Sequence, residues 1–275
     1  MTSTTLRALP EVTIAREPAL STSAAAGASE CTNCGIARAG LYCAVCGQRF
    51  THGRLTVPAI AHQVAHDVLN LDRGILFTAM ELTRRPGDAI RAYVDGKRVR
   101  YTGPVKYFIL TVALTTFATT QLGIVDEVAE GMFHEAERAA SMTPSQASAF
   151  MSRWMTMFMA LGVPFTAAVT HRLFKRTGMT YAEHLALNLY SYGHQCVGLV
   201  LALLVASMLP SLEGGMVVLW MFASTGYFAW TCTRFFRIGP RVAVPRAVLG
   251  VLLGTAMYFL TATLVIGAAF GVAGL

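Results

Sequence analysis

The chain has 275 residues, of which 54% are hydrophobic and only 13% charged, and its formal net charge is +7. Soluble globular proteins carry about 25% charged residues, so the composition argues against an ordinary soluble domain and for a membrane protein. In so apolar a chain a basic excess reads as a face turned to anionic lipid, and nucleic acid is not expected as a partner.

Residues 1–30 carry Arg7, Glu11, Arg16 and Glu17 without the apolar core of a secretory signal. They read as a small, polar, disordered leader, which leaves the next segment in a reducing cytoplasm. That segment, 31–50, is "CTNCGIARAGLYCAVCGQRF". Cys31, Cys34, Cys43 and Cys46 form two Cys-x-x-Cys pairs, each followed by a glycine, Gly35 and Gly47. Four thiolates in a reduced compartment suit a structural Zn2+ ion, held by a small β ribbon with Gly40 at its turn. A ribbon this small takes its folding energy from the metal. A closed four-Cys set leaves no position for substrate, so it argues for structure or contact with a cytoplasmic protein partner rather than catalysis.

Residues 51–104 are too charged to span a bilayer and too periodic to be loop. Ile60, Val64, Val68 and Leu71 recur at helical spacing, and "RGILFTAMELTRR" continues the apolar face. Pro86 and Gly87 break it, and Asp88 is placed to cap a short helix over "AIRAYV". Arg84, Arg85, Arg91, Lys97, Arg98 and Arg100 crowd the approach to the first span. The segment therefore reads as amphipathic interfacial helices whose bases contact membrane lipid, beside the simpler reading of a positive-inside signal. "HQVAH", residues 62–66, spaces two histidines as a zinc protease does, but Gln63 stands where the general base belongs, so catalysis is not expected there.

The elements Cys46-Gly47-Gln48, Asp72-Arg73, Arg85-Pro86-Gly87 and Gly96-Lys97-Arg98 with Tyr101 follow one another ahead of the apolar tracts. In this the chain resembles an uncharacterised bacterial membrane family, catalogued as a domain of unknown function. Its members begin with a four-Cys ribbon ending in Cys-Gly-Gln and continue through Arg-Pro-Gly and Gly-Lys-Arg-x-x-Tyr elements into membrane helices. "TYAEHLALNLYSYGHQ" resembles members more loosely. The resemblance implies a bacterial inner-membrane protein and supports the ribbon; it implies no chemistry.

Residues 105–275 hold five apolar tracts of spanning length, at about 105–125, 153–171, 185–209, 215–236 and 247–273. Loop 171–184 carries Arg172, Lys175 and Arg176, and loop 234–246 carries Arg234, Arg237, Arg241 and Arg246. Loop 126–152 carries five acids and one base. The asymmetry places the N-terminus in the cytoplasm and, for five spans, the C-terminus in the periplasm.

The third tract is unusually polar. Glu183 and His184 stand at its cytoplasmic entrance, and Asn188, Ser191, His194 and Gln195 follow inside. Residues 184, 188, 191 and 195 share one helical face. Such groups either bond neighbouring helices or form an intramembrane site. Cys196 and Cys232 read as packing residues, and Gly250 with Gly254 and Gly267 with Gly271 permit close helix approach.

The expected fold is an all-α polytopic membrane helix bundle with a small N-terminal β zinc ribbon. The expected function is a non-enzymatic scaffold or interaction protein of the inner membrane. A transporter of a small molecule, lipid or ion, using the polar face of the third span as a homo-oligomer, is the alternative. An intramembrane enzyme using Glu183, His184 and His194 ranks third.

Overall fold

A computed structural model describes residues 30–37, 40–49, 54–60, 74–123, 162–209 and 213–270. The expected leader, the His62 and His66 pair and the acidic loop 126–152 lie outside them. The described residues are mostly helical. In chain order the helices are α1 (Gly74–Arg84), α2 (Pro86–Val94), α3 (Pro104–Gln121), α4 (Tyr181–Met208), α5 (Glu213–Phe236) and α6 (Pro240–Phe270). Residues 162–173 are also helical and lead through a short 3-10 turn, Lys175–Thr177, into α4.

Among the described residues two helical stretches are long and apolar enough to cross a membrane, Tyr181–Met208 and Pro240–Met257. They lie at the expected third and fifth spans. At 1.5 Å per residue, the 28 residues of α4 run to about 42 Å, more than a hydrocarbon core of about 30 Å requires. α3 and α5 fall at the expected first and fourth spans, and only 162–171 of the expected second is described.

α3 is diluted by Lys106, Gln121 and five threonines. The threonines do not break the helix, because their hydroxyls bond back to carbonyls one turn earlier, Thr115 to Thr111 O and Thr119 to Thr115 O, both at 2.9 Å. Thr111, Thr115 and Thr119 form a buried stripe, and Thr115 Oγ1 also donates to Cys196 O of α4 at 3.2 Å. The stripe meets α4 at Gly193, where an added Cβ would lie 2.9 Å from Thr111 Oγ1 and 3.2 Å from the Phe108 Cα.

α1 and α2 do more than lie along a surface. Leu82, Ile90 and Tyr93 are buried in one core with Leu187 and Tyr190 of α4 and Phe235 of α5. The Tyr93 and Tyr190 rings meet edge to face at 5.5 Å. The turn between the two helices is wedged against α5: a Cβ on Gly87 would come within 2.4 Å of the Arg234 Cβ and 2.5 Å of Thr231 O. The expected break at Pro86 is instead a helix start. Pro86 takes a first-turn position where its missing N–H costs nothing, and Asp88 lies inside the first turn rather than at the cap.

Candidate metal centre and buried polar clusters

The two Cys-x-x-Cys pairs build the same local structure twice. Gly35 N donates to Cys31 O at 2.8 Å and Gly47 N to Cys43 O at 2.9 Å. Cys31 N donates to Ile36 O and Cys43 N to Gln48 O. Gly35 and Gly47 adopt left-handed φ of 78° and 70°, which a side chain resists. Each turn closes on its own isolated bridge, Glu30 to Ala37 and Tyr42 to Arg49. The sequence reading expects one hairpin spanning both pairs. Instead there are two separate knuckles, with no extended strand among the described residues. Gly40, at φ 80°, does lie between them in a turn conformation.

The knuckles bring the four sulfurs together. All lie within 4.8 Å of one another, with Cys31 to Cys46 at 3.7 Å and Cys34 to Cys43 at 3.5 Å. A tetrahedral ion with metal–sulfur bonds of about 2.3 Å holds its sulfurs about 3.8 Å apart, so the four cysteines fit a metal ion. The backbone N–H groups of Cys46 and Val45 lower the Cys43 thiol to about 6. Against the pull of the Ile36 N–H, burial and the neighbouring sulfurs of Cys43, Cys46 and Cys31 push Cys34 up to about 12. Four sulfurs this close cannot all ionise without a cation between them.

The module is fixed to the helices on one side. Gln48 Nε2 donates to Gly96 O at 2.9 Å and to Thr32 Oγ1 at 2.7 Å, and Arg98 N donates to Gln48 Oε1 at 3.2 Å. Gln48, the third residue of the Cys-Gly-Gln element, thus ties the second knuckle to the first and both to the loop after α2. Leu41, Tyr42 and Val45 of the module are exposed at 75%, 57% and 65%.

The expected basic contacts with lipid divide by environment. Arg84, Arg85, Lys97 and Arg100 are exposed, while Arg91 and Arg98 are half-buried. Arg85 pairs with Glu81 at 2.8 Å and Arg100 lies over the Phe77 ring at 4.9 Å. Arg91 pairs with Asp95 and also donates to Phe235 O at 3.4 Å, so it braces α2 against α5.

The polar face of α4 separates into three environments. Glu183 is a helix-capping residue: it accepts from Thr180 N at 2.7 Å while Thr180 Oγ1 accepts from Glu183 N, a reciprocal capping box. It also binds Arg54 Nε at 2.9 Å, and Arg54 Nη2 reaches Gly178 O at 3.0 Å. His194 turns toward α1 and α3. Its Nδ1 lies 2.9 Å from Tyr107 Oη and its Nε2 3.2 Å from Thr83 Oγ1, with the Tyr227 ring 5.4 Å away. His184 and Asn188 face helix 162–173 through His171 and Thr170, and Ser191 is fully buried with them. Gln195 is half-buried and joins neither group in any described contact.

Residues 72–116 match a family model described as a protein of unknown function, DUF3667. No curated protein and no solved structure matches the chain. The matched stretch contains α1, α2, the loop that receives Gln48 and the first part of α3. It includes Gly87 and Gly96, the two glycines on which the α2–α5 and α2–knuckle contacts close.

Arg54 and His171 escape sequence reading. Arg54 acts through Glu183, far away in the chain, and His171 through His184 on the next helix, and neither belongs to a local pattern. The Glu183 role does carry a local signal, the Thr180-x-x-Glu183 spacing of a capping box.

Proposed function

We propose that the chain is a non-enzymatic, five-span protein of the bacterial inner membrane, and that its four cysteines hold one structural Zn2+ ion in a cytoplasmic docking module. The observation that carries this is the exposed apolar surface of a module that is already anchored. Gln48 ties it to the Gly96 loop, while its Leu41, Tyr42 and Val45 stand exposed. Metal that only stabilised the helical bundle would have no need to hold three large apolar side chains in solvent. The closed thiolate set leaves catalysis no open coordination position. The division of the α4 polar residues into separate clusters supports a scaffold over a continuous permeation path.

A photocrosslinking residue at Leu41, with a second at Leu76 on the exposed face of α1 as control, tests the reading in membranes of the native host. The expected result is a protein adduct of one discrete mass at Leu41 that disappears with Val45→Asp, while Leu76 gives none of that mass. Lipid adducts alone at Leu41, or a protein adduct indifferent to Val45→Asp, would sink the docking role.

A further inference from the structure

A second set of metal-ligating atoms lies between helix 162–173 and the first turns of α4, away from the cysteines. His184 and Asn188 are one helical turn apart on α4 and are fully buried. His171 faces them from helix 162–173, its ring 5.1 Å from that of His184 and inclined at 75°. Asn188 Nδ2 donates to Thr170 Oγ1 at 3.0 Å and to His184 O at 2.8 Å, which fixes the amide and leaves Oδ1 as its free end.

Four buried polar atoms of these residues have no hydrogen-bond partner among the described residues: both ring nitrogens of His184, Nδ1 of His171 and Oδ1 of Asn188, of which neutral His184 can offer one as a ligand. A buried polar atom left unpaired is destabilising, and native structures hold few of them. Here they concentrate at one place. Phe236, 5.1 Å from the His184 ring and stacked on Phe174, closes the apolar side of the site. Glu183 is turned away to Arg54 and Thr180 and supplies no ligand.

The ring spacing is compatible with ligation, although edge-to-face packing spans the same range. With metal–nitrogen bonds of about 2.0–2.1 Å and a ring centre about 1.1 Å behind each nitrogen, two imidazoles on one tetrahedral ion have centres roughly 5.2 Å apart. The observed 5.1 Å meets this value. Ser191 also has an unpartnered hydroxyl, but it lies two turns beyond His184, about 10 Å along the axis, outside reach of the same ion.

We propose that His171, His184 and Asn188 Oδ1 bind a divalent transition-metal ion of the zinc class, one that accepts mixed nitrogen and oxygen ligands. This site is independent of the cysteine centre and would tie helix 162–173 to α4 where α4 leaves the basic end of the molecule.

The test is a metal count on the purified full-length protein in detergent, stripped with chelator and reloaded with Zn2+ or Co2+. Two ions per chain are expected. His171→Ala, at a half-buried position, should reduce the count to one and leave the intense thiolate-to-cobalt charge-transfer bands unchanged. It should remove only the weaker visible bands of a thiolate-free site. Should His171→Ala fail to fold, the wild-type cobalt titration decides alone, because it must show a second component without charge-transfer intensity. A count of one for the wild type, a single spectral component, or a count of two that survives His171→Ala would overturn the proposal.

Discussion

Gly87 shows how a single absent methyl group positions a helix. The atoms facing it are the Arg234 Cβ, Thr231 O and the Phe235 N of α5, all within 2.6 Å of where a Cβ would lie. None is the far end of a flexible side chain, so the backbone of α2 or α5 must move to admit one. Gly87→Ala is expected to cost about 1–3 kcal/mol, the usual penalty for overpacking a filled core. It should also loosen the adjoining Arg91 contact with Phe235 O. Thermal unfolding of the purified protein in detergent measures this. Gly226→Ala, where nothing lies within 4 Å of the new methyl, is the control and should be neutral or slightly stabilising. Equal melting temperatures for the two variants would show that the α2–α5 contact is not as tight as described. The Arg-Pro-Gly element thereby gains a physical reason: Pro86 starts α2 and Gly87 lets it touch α5.

At the scale of elements, the contact of α3 with α4 depends on small and self-satisfied groups. In the bilayer setting proposed above, lipid would offer no hydrophobic incentive for the two helices to associate, and they would pack where backbones approach closely. Gly193 supplies the approach and the threonine stripe of α3 supplies the matching surface. Gly193→Val places carbon 2.9 Å from Thr111 Oγ1 and 3.2 Å from the Phe108 Cα, and should separate the helices. The expected readout is faster proteolysis within residues 104–121 and a lower melting temperature. An unchanged cleavage pattern would contradict the close crossing. Much of this level is legible in sequence. The far end of α4 and the Cys-x-x-Cys turns are local patterns, whereas α4 begins at Tyr181, one turn before the expected 185, because Thr180 and Glu183 form a capping box. What sequence cannot supply is the direction in which each polar residue of α4 faces. Residues 184, 188, 191 and 195 share a helical face by periodicity, yet His171 beside His184, and Tyr107 with Thr83 beside His194, are chosen by neighbouring helices. The single-hairpin expectation for residues 31–50 fails for a related reason. The two knuckles satisfy their own amides around sulfur, so no long ladder between them is needed.

For the whole molecule, contacts gather the basic segments at one end. Arg54 reaches Gly178 and Glu183, Gln48 reaches Gly96, and Arg91 reaches both Met179 Sδ and Phe235 O. The cysteine module, the start of α3, the 174–179 turn, the start of α4 and the end of α5 therefore share this end. α6 begins beside it at Pro240, and its 31 residues run to about 46 Å, long enough to carry the chain across a bilayer. Arg172, Lys175, Arg176, Arg234, Arg237 and Arg241 belong to the segments around this end, and the proposed orientation turns it to the cytoplasm. On the proposed five-span reading, the chain leaves this end in α3, α4 and α6, returns to it before α4 and in α5, and comes to the opposite side after α6. Reporter fusions after Leu275 decide this. Alkaline phosphatase, which needs an oxidising compartment to form its disulfides, should be active there, and a fluorescent protein that folds only in the cytoplasm should be dark. The same fluorescent protein placed ahead of residue 30 should be bright. A bright C-terminal fusion with inactive phosphatase would require an even number of crossings. Were α6 the tract that does not cross, its exposed Leu252, Leu260 and Leu264 would need cover other than the bilayer core.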